Sequence, residues 1–248
     1  MINKYLLILG TAHVLGDFYL QTEKIAKQKE EKYVGVLWHC LEYYFASLLV
    51  ILPILSVDLV LAMTYMGVSH FAIDTIKYIL LRKKKVKTTC KVFVIDQLLH
   101  IVCIGALAYI MILFEFNIGK WEIVNHILIT LNCDAEIILR WVLAILLIHI
   151  PTNIFIQKFI GDYKPKENEQ LITVEKKAGR RIGTIERLIM LIFFEMNQYS
   201  AIGFVLTAKS VARYDKIAKD EKFAEYYLLG TLTSTLCVIV CGIVVVGW

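Results

Sequence analysis

Six runs of mostly apolar residues, at 4–21, 33–56, 58–81, 91–114, 135–160 and 223–247, leave this chain few folds to choose from. Each is about twenty residues long, the length at which a helix rising about 1.5 Å per residue crosses the hydrocarbon layer of a bilayer. None alternates apolar and polar residues with period two, which argues against a membrane β-barrel. Composition agrees: 58% of residues are apolar and 20% charged, with a mean hydropathy of +0.64. That is too apolar for a soluble domain and too charged for helices that only fill lipid. The first run carries His13 and Asp17 and lacks a small-residue cleavage site, so it reads as a span rather than a removed leader. The expected fold is an all-α integral membrane protein, about six full transmembrane helices in a single membrane domain, 1–248.

The segments between the runs set the organisation. Residues 115–134 read as an amphipathic surface segment with Trp121 at an interface, and Pro151 predicts a kink in the fifth span. Segments 22–32, 82–91, 161–181 and 208–222 carry 21 of the 27 lysines and arginines. Basic loops stay on the cytoplasmic side, which puts all four there and the N-terminus outside. Stretch 181–212 is then flanked by basic residues on both ends and is too short for two spans. It reads as a re-entrant helical hairpin with Glu195, Asn197 and Gln198 at its tip; one long tilted span is the competing reading. The chain thus divides into a four-helix half, 1–114, and a second half, 135–248, that contains the hairpin. Six cysteines are scattered without a CxxC pair and read as small core residues.

The apolar runs hold polar residues in a repeating pattern. His13 and Asp17 stand four apart in the first, His70 and Asp74 in the third, Asp96 and His100 in the fourth. Residues four apart share a helix face. The second run offers His39, whose neighbour on that face is Tyr43 rather than a carboxylate, so it ranks as the weaker member; Glu42 falls off the face. Counted from the cytoplasmic ends of helices that run in opposite directions, all of these reach one layer. Burying ionisable groups in hydrocarbon costs about 2.5–3.5 kcal/mol each, so they persist when they face each other, a cavity or a metal. His and Asp supply the nitrogen and oxygen ligands of zinc, iron or manganese. The expected cofactor is therefore a divalent metal held by His13, Asp17, His70, Asp74, Asp96, His100 and His39. The plainer alternative is a set of His–Asp hydrogen bonds that glue helices together. Gln21 lies one turn nearer the cytoplasm, at the cavity mouth.

The strings AHVLGDFYLQT, SHFAIDTIK, IDQLLH, IGTIERLIM, AIGFVLTAKSVARY and EYYLLGTL together resemble an uncharacterised bacterial membrane-protein family, domain of unknown function thirty-three-oh-seven. The resemblance covers nearly the whole chain. It implies a multi-pass protein of the bacterial cytoplasmic (inner) membrane and carries no activity with it.

Three functions remain open. The first is a metal-dependent hydrolase acting on a lipid or isoprenoid phosphate, since a bound metal makes hydroxide available near the headgroups. In that reading Glu195 and Gln21 are the candidate catalytic groups, and Arg180, Arg181, Arg187, Lys209 and Arg213 hold the anion. Ordinary positive-inside charge explains these cations as well, and Arg187 has Glu186 beside it to pair with. The second is a divalent-metal or proton-coupled transporter built on HxxxD pairs. It ranks lower because the layer lies off mid-bilayer, where transport sites usually sit. The third is a structural or partner-binding membrane protein. The expected partner is the bilayer, with anionic lipid or lipid phosphate. The short KKKVK run at 83–87 gives nucleic-acid binding little support and reads as a lipid contact. Nothing in the sequence sets an oligomeric state.

Overall fold

The structure, a computed structural model, describes residues 4–84, 89–119, 121–163 and 169–247, and every element among them is helical. Lys85, Lys87, Lys164 and Lys166, counted above among the basic segments, lie outside the described residues, as does Lys120. The chain forms two compact units that divide within one helix, at Leu143 and Ala144.

The first unit opens with α1, Lys4–Val14, which widens into a π turn at Leu15–Tyr19. Then come α2, Glu23–Glu31, α3, Tyr33–Ile51, α4, Val57–Lys84, α5, Cys90–Leu113, and α6, Glu122–Thr130. The helix starts are written locally. The Thr22 hydroxyl accepts from the Ile25 N–H, and the Ser56 hydroxyl from that of Leu59. Both take up backbone donors that a first helical turn leaves bare. Pro53 falls in the 3-10 turn that ends α3, Leu52–Ile54.

Helices α1, α3, α4 and α5 pack around a core of Tyr5, Leu9, Ala12, Tyr43, Leu59, Met63, Leu107 and Met111, among others. Their outward faces are apolar too: Phe45, Leu49, Leu61, Val68 and Val102 are exposed. The polar His and Asp residues of these helices are buried while aliphatic residues cover the outside, an arrangement that suits a lipid surround. Helix α6 buries no residue, as expected of a surface segment.

Among the described residues, five helical stretches are long and apolar enough to cross a membrane: Tyr33–Ile54, Val57–Arg82, Cys90–Leu113, Ala135–Phe159 and Glu221–Val246. The first expected span, 4–21, is not among them. Among the described residues its helix runs 11 residues before a 5-residue π turn, short of the roughly 20 that a bilayer asks for. It is instead enclosed by protein, with Leu7, Leu9 and Ala12 fully buried. Segment 22–32, read as a loop, folds as α2, because its Glu, Lys, Gln and Ala residues are good helix formers.

The second unit takes most of α7, Ala135–Phe159, then α8, Glu169–Glu195, α9, Tyr199–Val211, α10, Tyr214–Lys219, and α11, Glu221–Cys241, which ends in a π turn at Gly242–Val246. Pro151 sits inside α7 and has no N–H for the Leu147 carbonyl. The Thr152 hydroxyl donates to that carbonyl at 2.8 Å, and Arg187 Nε donates to the next, Ile148, at 2.6 Å. The chain turns back between α8 and α9 at 196–198, where Asn197 adopts φ 58°. Lys209 on the return helix meets Glu186 on the outgoing one at 2.6 Å. Helix α8 begins at Glu169, a turn after the start of what reads as a basic loop.

Candidate metal centre

Four side chains from three elements converge inside the first unit. Asp17 comes from the π turn, His39 from α3, and His70 and Asp74 from successive turns of α4. All four are buried, His39 completely. His39 Nε2 lies 3.1 Å from Asp17 Oδ1, 3.0 Å from His70 Nε2 and 3.6 Å from Asp74 Oδ2. His70 Nε2 lies 3.3 Å from Asp74 Oδ2 and 3.9 Å from Asp17 Oδ1. Each nitrogen thus faces an oxygen of both carboxylates, and Asp17, His39 and His70 offer donor atoms all within 4.8 Å of one another. Ligands bound tetrahedrally at about 2.0–2.2 Å from zinc stand about 3.3–3.6 Å apart, so this donor set fits such an ion. Cys40 Sγ forms a second possible triad with His70 and Asp74, its donor atoms within 4.8 Å of one another.

The ring nitrogens facing away, His39 Nδ1 and His70 Nδ1, are buried without a hydrogen-bond partner. With both Nε2 lone pairs directed at a cation, those nitrogens carry the protons. Leaving each unpaired costs about 1–3 kcal/mol, which a metal bond at Nε2 offsets.

A chain of hydrogen bonds holds the donors in place. The Tyr43 hydroxyl lies 3.1 Å from His13 Nδ1, and His13 Nε2 lies 3.3 Å from Gln97 Oε1. The amide oxygen only accepts, so His13 carries its proton on Nε2, and Nδ1 accepts from Tyr43. Gln97 Nε2 then donates to Asp17 Oδ2 at 3.0 Å, leaving Oδ1 turned to the centre. The Tyr43 ring stacks on His70, centroids 3.8 Å apart and planes 7° from parallel. Gly16 permits this: a Cβ there would come within 2.7 Å of Tyr43 Cδ2. His100 Nδ1 donates to the Asp96 carbonyl at 2.8 Å, which leaves Nε2 as a bare lone pair with no hydrogen-bond partner. Its ring lies 4.5 Å from that of His70. Asp96 pairs with Lys77 at 2.7 Å.

Lys29 of α2 reaches in from the side. Its ammonium lies 2.5 Å from Asp74 Oδ2 and 3.9 Å from Asp17 Oδ1. Burial would pull the Lys29 pKa down, but the Asp74 and Asp17 carboxylates hold it above its ordinary value.

The structure therefore gathers His13, Asp17, His39, His70, Asp74, Asp96 and His100 in one buried cluster, and orders them. His39, ranked weaker on spacing, sits at the middle because its carboxylate comes from another element. His13 has both nitrogens engaged by neighbours. Gln21 lies in the short link after the π turn, half-exposed. Glu42 has a buried Oε2 without a hydrogen-bond partner. The remaining candidates belong to the second unit. Glu195 is exposed at the end of α8, and Arg180, Arg181 and Arg213 are exposed. Lys209, not Arg187, takes the Glu186 carboxylate. Arg187 is 2% exposed and donates to Ile148, Asn153, Ser234 and Thr184. Spacing did not single out Lys29, Gln97 or Cys40. Gln97 stands next to Asp96 and three residues before His100, which is its one sequence signal.

A family model described as Protein of unknown function (DUF3307) matches residues 5–129, a stretch that contains every residue of this centre. No curated protein and no solved structure matches the chain.

Proposed function

The chain belongs to the family described as Protein of unknown function (DUF3307), and from that premise, which brings no activity with it, we propose that it is a membrane protein that binds a divalent transition metal through Asp17, His39, His70 and Asp74. One observation carries this: the two imidazole nitrogens lie 3.0 Å apart and each stands 3.1–3.9 Å from an oxygen of Asp17 and of Asp74, the four buried side chains coming from three elements. Four ionisable groups crowded in an apolar surround are costly alone and cheap around a cation. The mix of imidazole and carboxylate suits zinc, iron or manganese. On the charge bias, the α2 side of the site faces the cytoplasm, and the α8–α9 hairpin enters and leaves on that same side.

Of the activities open to such a site, passage or storage of the ion fits better than hydrolysis of a lipid or isoprenoid phosphate. A hydrolytic metal keeps a coordination position for water, and four enclosed protein donors fill a tetrahedral shell. The anion-holding candidates of the second unit are solvated, or already bonded within it.

Elemental analysis of protein purified without chelator tests the proposal. The expected result is a stoichiometric zinc, iron or manganese that Asp74→Ala removes and Glu42→Ala does not. Protein that carries no metal, and takes up none when titrated with zinc and manganese, would defeat it. Metal uptake into sealed vesicles, set beside phosphate release from an isoprenoid diphosphate, separates passage from hydrolysis.

A further inference from the structure

Resting on that metal reading, we propose that Lys29 is a tethered rival of the ion: its ammonium holds the Asp17 and Asp74 carboxylates when no metal is bound, and swings to the surface when a divalent cation takes them.

Three observations support this. The first is shared oxygens. Asp74 Oδ2 and Asp17 Oδ1 lie 2.5 and 3.9 Å from Lys29 Nζ, and they are the same atoms that face His39 Nε2 and His70 Nε2. An ammonium and a metal both seated on those oxygens would be two cations crowded onto the same two carboxylates. The second is charge. The two carboxylates bring two negative charges into a low-dielectric interior. Lysine alone leaves one uncompensated, and a divalent ion alone leaves none. Both together leave a buried positive charge, the costliest arrangement for the metal-loaded state. The third is an exit. The Lys29 side chain is 11% exposed, its neighbours Lys27 and Gln28 are exposed, and its four-carbon stem is flexible. The side chain can leave without moving α2, which Gly35 locks by close backbone approach to Gln28.

A built-in competitor keeps the metal-free site folded and makes binding reversible. That suits an ion which must be given up again.

The test uses the full chain in detergent, with zinc alone as the probe. Lys29→Met is expected to bind zinc at least about tenfold more tightly than the parent, a gain of about 1.4 kcal/mol, while Lys29→Arg stays near the parent. Acetylation of the native protein by an amine reagent, read by mass spectrometry, gives an independent measure. Lys29 labelling should rise on saturation with zinc, and labelling of the exposed Lys27 and Lys32 should not. Equal or weaker zinc binding by Lys29→Met, with the parent binding well, overturns the rivalry and leaves the metal site standing. So does Lys29 labelling that zinc does not change. Absence of zinc binding in both parent and Lys29→Met overturns the site and the rivalry together.

Discussion

Asp17 works at the centre because a glycine precedes it. The backbone at Gly16 runs so close to Tyr43 that a methyl group would sit 2.7 Å from the ring, and that ring is stacked on His70. Gly16→Ala must push Tyr43 against His70 or tilt the turn that carries Asp17. The expected result is a loss of about 1–3 kcal/mol in stability, with weakened zinc binding; unchanged zinc affinity would show that the π turn does not position Asp17. His13 and His39 make a sharper pair. His39→Ala removes a donor and should abolish binding. His13→Ala removes a support and should cost about 10–100-fold, the usual effect of a group that orients a ligand. Zinc titration of the two variants decides, and equal losses would make His13 a ligand. Spacing found the residues of this cluster but not their ranks. The four-residue rule sees one helix at a time, so it paired His13 with Asp17 and left His39 with Tyr43. In the folded chain Asp17 serves His39 across helices. Lys29 was hidden for the same reason, in a segment whose charge reads as ordinary solvent contact.

Helix α7 shows how an element absorbs its own defect. Pro151 removes one ladder hydrogen bond, the bared Leu147 carbonyl is met by Thr152, and the Ile148 carbonyl beside it accepts from Arg187. In lipid no water would meet them, and each unmet group would cost several kcal/mol. Arg187→Met should therefore destabilise the protein by about 3 kcal/mol or more. Arg187→Lys should fail to rescue it, because one ammonium cannot reproduce the planar fork that reaches Ile148, Ser234, Asn153 and Thr184. Unfolding in detergent measures both, and a Lys variant as stable as the parent would contradict this account. Long apolar runs revealed the five helical stretches that are long and apolar enough to span, since length and hydropathy are local properties. The sequence also placed a reversal near Glu195–Gln198, and the chain turns at 196–198. The short α1 and the helical α2 were harder to read. A run that looks long enough to span can be spent partly on a π turn, and a charged stretch with good helix formers looks like any loop.

Among the described residues, His13, His39, His70, His100, Asp17, Asp74, Asp96 and Arg187 are enclosed, while many Leu, Phe and Val side chains are displayed. The charge outside the helices should orient the chain. With the six native cysteines replaced, single cysteines at Lys27, Lys91, Arg181 and Lys216 should resist an impermeant thiol reagent added to intact cells and react after permeabilisation, whereas one at Asn132 should react at once. External labelling at any of the first four would break the assigned orientation. The placement of the centre along the chain has a consequence for biogenesis. Every donor and support, from His13 to His100, has been translated when more than half of the chain is still to be made. Nascent chains generally fold from the N-terminus as they emerge, at about 5–20 residues per second. The membrane would then receive a bundle able to load its ion while the ribosome is still making the other half.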